Sequence, residues 1–101
     1  MTKETKELIK AICRLENETE ARKFLRDLLT EQELIEFGKR WQAAQMLDKN
    51  VPYAEIEKKT GLSSRTVARI AKWLSKGMGG YKLMINKLNH HRIPSVRKGL
   101  R

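Results

Sequence analysis

The amino-acid sequence predicts an all-α protein of about six helices with a central helix-turn-helix. Three observations carry that expectation. Apolar residues recur at i, i+3, i+4 and i+7 through most of the chain, the period of helices buried along one side. Glu, Lys, Leu and Ala dominate these stretches, and the two prolines, Pro52 and Pro94, fall outside them. Brief breaks with capping residues divide the stretches into separate helices. A chain of 101 residues buries only a modest core when it stands alone, so oligomerisation is expected from the start.

The first helix is expected over about Lys3 to Leu15. Leu8, Ile12 and Leu15 form its stripe, which Ile9 and Cys13 widen. Asn17 followed three residues later by Glu20 is a capping signature, and it opens a second helix with Ala21, Phe24, Leu25, Leu28 and Leu29 on one face. Thr30 with Glu33 repeats the signature and opens a third helix to about Lys49. Leu34, Phe37, Trp41 and Ala44 make one stripe there, while Ile35 and Met46 lie well round the cylinder. A helix apolar on two sides is usually sandwiched, and a second subunit could supply the missing layer.

Asn50, Val51 and Pro52 break the pattern, and Pro52 suits the first turn of a short helix ending at Thr60. Gly61 follows as a left-handed cap residue. Ser63 can cap the next helix, from about Ser64 to Lys76, which stops at Gly77, Met78, Gly79 and Gly80. A last helix from about Tyr81 to His90 carries Leu83, Met84 and Leu88. Residues 1–91 are therefore expected to form a single helical domain. Residues 92–101, with Pro94 and Gly99 among bases, are expected to be a flexible basic tail.

The net charge of +10 is unevenly placed. Residues 1–61 hold 12 basic and 12 acidic side chains, whereas residues 62–101 hold 10 basic and none acidic. Such segregation concentrates positive potential and points to a polyanionic partner. Cys13 has no second cysteine to pair with, and beside Ile9 and Ile12 it is expected to be a small core residue in a reducing cytoplasm. No apolar stretch is long enough for a membrane span, and the charged opening lacks the apolar core of a signal peptide.

Tyr53 to Ser75 carries the function. A helix-turn-helix needs a short helix, a turn tolerating positive φ, and a second helix buried on one side only. Ile56 points inward, Gly61 turns, Leu62 plugs the turn, and Val67 and Ile70 anchor the second helix. The position four before the glycine, often alanine in such pairs, is Glu57. At about 100° per residue, Arg65, Arg69, Lys72 and Lys76 share one face of the second helix, opposite Val67, Ile70, Ala71 and Leu74. An arginine in the first turn can pair bidentately with guanine. The expected DNA contacts are Lys58, Ser63, Ser64, Arg65, Thr66, Arg69, Lys72 and Lys76. His90 and His91 point about 100° apart and lack a second ligand pair, so no metal site is expected. No phosphate-binding glycine loop or nucleophile and base pair is present in the sequence, and no catalysis is expected.

The run Leu29, Thr30, Glu33, Gly38, Arg40, with Gly61, Thr66 and Arg69, resembles the Trp repressor superfamily. Trp41, Ala44, Met46, Leu47, Tyr53, Ile56, Thr60, Ser63, Leu74 and the Gly77 to Tyr81 ending look still more like its Trp-repressor-like branch. The resemblance implies an intertwined homodimer whose two reading heads meet the half-sites of a double-stranded DNA operator. It also implies a corepressor site at Thr30, Arg40 and Arg69, where arginine can clamp a carboxylate or stack on a ring. A glycine after the second arginine in that family is Ile70 here, and a serine one turn later is Trp73. Both are bulky and would crowd an indole. No cofactor is expected to be required. An amino-acid corepressor is possible at the site, but tryptophan is not the expected one.

The function expected is sequence-specific binding of duplex DNA by a transcriptional regulator acting as a repressor. Two alternatives are a non-specific RNA-binding or nucleoid-type protein and a helical protein-interaction dimer. The sequence lacks the aromatic platform that single-strand binders use, which counts against RNA.

Overall fold

A computed structural model describes residues 1–92, with side chains through Asn89. Six α-helices follow in order: α1 Lys3–Cys13, α2 Glu18–Leu28, α3 Glu31–Asp48, α4 Tyr53–Thr60, α5 Ser64–Lys76 and α6 Gly80–Arg92. Among the described residues there is no strand, and no helix is long and apolar enough to cross a membrane. The chain divides into two compact units, Met1–Glu36 and Phe37–Arg101. The basic tail expected from residue 92 lies, beyond Arg92, outside the described residues.

In the first unit the caps are local and specific. Asn17 accepts a hydrogen bond from the Glu20 amide at 2.9 Å, while the Glu20 carboxylate accepts from the Glu16 amide, one residue before the cap. At α3 the box is reciprocal: the Glu33 amide donates to Thr30 Oγ1 at 3.0 Å and the Thr30 amide donates to the Glu33 carboxylate at 2.9 Å. α1 ends two residues short of the expected Leu15, because Arg14 and Leu15 donate to carbonyls three residues back and tighten the last turn.

No residue of α1 or α2 is buried. Cys13 is exposed, which corrects its reading as a core residue. The periodicity of α1 marks its apolar face, but that face is covered only in part: Leu8 is half-buried, and Ile9 and Ile12 remain exposed.

The second unit holds the core. Ala43 and Ala44 of α3, Ile56 of α4, Leu62 of the turn, and Val67 and Ile70 of α5 form one buried cluster. Ala43 and Ala44 give α3 a small-residue face in this cluster, while Ile56, Val67 and Ile70, the largest wholly buried side chains, fill the space. Trp41, Met46, Leu47, Val51 and Tyr81 pack around this cluster, and the Trp41 and Tyr81 rings stack with centroids 6.3 Å apart. The Lys82 ammonium of α6 meets Asp48 of α3 at 3.4 Å.

α3 ends in a Schellman motif. Asn50 takes φ +62°, its amide donates to the Leu47 carbonyl at 2.9 Å, and the Val51 amide donates to the Met46 carbonyl at 3.0 Å. Pro52 then stands just before α4 as its cap, one position earlier than expected.

Candidate nucleic-acid interface

The turn between α4 and α5 is built from three side-chain or backbone devices. Gly61 closes α4 in the left-handed region at φ +79°, with its amide on the Glu57 carbonyl at 2.8 Å. Thr60 is buried, and its hydroxyl donates to the Ile56 carbonyl at 2.7 Å while accepting from the Leu62 amide at 3.1 Å. That second bond satisfies an amide which would otherwise be buried without a partner beneath the plug residue Leu62. Ser63 caps α5: its hydroxyl accepts from the Thr66 amide at 3.1 Å and donates to Thr66 Oγ1 at 3.0 Å.

From that cap, α5 presents two unlike faces. Val67 and Ile70 are wholly buried, and Ala71 and Leu74 are half-buried. Ser64, Arg65, Arg69, Lys72 and Lys76 are exposed, and Thr66 is half-buried on the border. Among the described residues none of these four basic side chains is paired with a carboxylate. Lys58 is exposed on the last turn of α4, beside Lys59. The eight residues expected to meet DNA thus lie on α4, the turn cap and α5, with Ser63 and Thr66 also serving as the cap.

The residues expected at a corepressor site are each engaged within the chain. Thr30 caps α3. The Arg40 guanidinium lies over the Phe37 ring at 5.7 Å, and that of Arg69 lies over the Trp73 ring at 5.9 Å. Ile70 is committed to the core, whereas Trp73 is 45% exposed on the flank between the two faces of α5. Trp73 also walls an open groove of about 790 Å³, together with Trp41, Lys76, Tyr81 and Met84.

Sequence reasoning missed Lys39, whose ammonium reaches the turn at Gly61, and the double role of the Thr60 hydroxyl. A threonine followed by a helix-ending glycine was the available signal for Thr60. Nothing local signalled Lys39, because its place depends on how α3 packs.

Comparison with known proteins gives one consistent result. The family described as Trp repressor protein matches residues 3–89. The uncharacterized protein YerC of Bacillus subtilis (strain 168) is 29% identical over 96 residues, which are 95% of this chain and 92% of that protein. A crystal structure of a candidate Trp repressor from Staphylococcus aureus is similar at TM-score 0.81 and 32% identity, covering 88% of this chain and 89% of the other. A TrpR-like protein from Eubacterium eligens ATCC 27750 is similar at TM-score 0.82 and 32% identity, over 87% and 91% of the two chains.

Proposed function

The chain belongs to the Trp repressor protein family, and on that premise we propose that it is a homodimeric, cytoplasmic regulator of transcription, acting as a repressor. α5 is its recognition helix and enters the major groove of an operator, with Ser64 and Arg65 toward the bases and Lys72 and Lys76 toward phosphates. The observation that supports this best is the division of α5 into a face anchored in the core by Val67 and Ile70 and an exposed face whose four basic side chains have no carboxylate partner among the described residues. A surface helix serving only solubility would have mixed its charges. The N-terminus of α5 carries no acidic residue in its first turn, so its free amides and positive dipole end add to the attraction for a phosphate.

Dimerisation is supported by what the single chain leaves uncovered. Ile9, Ile12, Leu28 and Ile35, all in the first unit, are exposed on three successive helices. So many large apolar side chains on one short stretch mark an interaction surface, and a second copy would bury them.

DNA binding is independent of free tryptophan in this reading. Ile70 occupies core volume, and Arg69 already rests on an indole that belongs to the chain. A preorganised arginine needs no ligand to order it.

Selection of bound fragments from a random duplex pool tests the proposal. It should return a near palindrome with half-site centres about 10 base pairs apart, matching reading heads about 34 Å apart. Recovery of fragments without a shared sequence would remove sequence-specific regulation and leave non-specific binding.

A further inference from the structure

We infer that Lys39, which lies on α3 outside the helix pair, is a DNA-backbone contact that extends the basic surface across the turn. This inference rests on the duplex-binding reading above. A Cβ placed on Gly61 would stand 3.8 Å from Lys39 Nζ, so the ammonium lies beside the turn.

Helix geometry explains how it arrives there. Lys39 is four residues before Ala43, one turn earlier on the face of α3 that is wholly buried against the helix pair. Lys39 is half-buried, and a lysine so placed keeps its methylene stem on apolar surface and its charged head toward water. Four residues later the same face is filled by the wholly buried Ala43.

The charge has no internal counterpart. Among the described residues no carboxylate pairs with Lys39. The turn at Gly61 follows directly on the last residues of α4, among them Lys58 and Lys59, and leads on to Ser63, Ser64 and Arg65. The carbonyl end of α4 offers it the negative pole of a short helix. That pole is weak, and two lysines already share it. A cation on a surface rich in basic side chains is stabilised when an anion joins them. The anion that fits this surface is the phosphodiester of a duplex lying along α5, since the turn beside Lys39 joins the basic end of α4 to the start of α5. Lys39 would thereby fix the depth at which the turn sits on the backbone. It would carry no sequence information itself.

The test is a salt titration of binding to a random-sequence DNA duplex by the full chain, as wild type, Lys39→Met and Lys39→Arg. Methionine keeps the apolar stem and removes the charge. The expected result for Lys39→Met is a fall of about 0.9 per subunit in the slope of log affinity against log salt, or about 1.8 for a dimer with both heads engaged. Lys39→Arg should restore the wild-type slope. A wild-type slope in Lys39→Met overturns the inference, and with a lowered thermal midpoint it would make Lys39 a helix-end stabiliser only. Wild-type protein that binds no duplex would reject the broader DNA-binding reading as well, an outcome distinct from an unchanged slope.

Discussion

The guanidinium of Arg69 lies 5.9 Å from the centroid of the Trp73 ring, so a basic side chain on the exposed face of α5 rests on an aromatic one turn further along the same helix. A flexible arginine is held near one orientation by this contact, which lowers the entropy lost when it meets DNA. The indole is not part of the core, so its role can be separated from folding.

Trp73→Ala should therefore weaken duplex binding about 2- to 5-fold, the value of an exposed cation–π contact of about 0.5 to 1 kcal/mol, while leaving the unfolding midpoint nearly unchanged. Trp73→Phe should recover part of the loss. In a double-mutant cycle with Arg69→Ala the two effects should be strongly non-additive. Adding free tryptophan to the wild type should not raise its affinity for a duplex. A tenfold gain, about 1.4 kcal/mol of coupling, would show that an external aromatic still reaches the site.

The turn makes a second expectation specific. Thr60→Val keeps the shape of the side chain but removes the acceptor of the Leu62 amide, leaving a buried donor without a partner. Its cost should be about 1 to 3 kcal/mol in urea unfolding, and Thr60→Ser should recover most of it. A neutral Thr60→Val would mean that water reaches the Leu62 amide.

Assembly supplies a third. Sedimentation equilibrium at micromolar concentration should give about twice the chain mass of 11.8 kDa. Ile12→Glu, which places a charge among the exposed apolar residues of α1, should shift the protein toward monomer. A folded wild-type monomer would contradict the dimeric reading and the palindromic operator together.

Much of the helix pair, and the start of α3, was legible in the sequence, because local physics writes it there. The Thr30 and Glu33 box, the Ser63 cap, the left-handed Gly61 and the buried set Ile56, Leu62, Val67 and Ile70 all follow from capping chemistry and a 3.6-residue period. Asn50 was harder to read, since asparagine adopts the left-handed region only when the following chain completes the Schellman bonds. Cys13 misled because periodicity says which face is apolar and not what covers it. The Arg69 and Trp73 contact was within reach, as an i, i+4 pair on a helix whose ends were visible. Lys39 was not, because its meeting with Gly61 spans 22 residues and depends on packing.

The most direct test of the central claim is the affinity of wild type and Arg65→Ala for two duplexes, one recovered by selection and one of random sequence. Arg65 is exposed in the first turn of α5, where a side chain reaches base edges. Arg65→Ala should cost about 1 to 3 kcal/mol on the selected duplex and much less on the random one, so that the ratio between them falls. Lys76→Ala, at the far end of the helix, should weaken both alike. Equal losses on the two duplexes for Arg65→Ala would contradict base reading by α5.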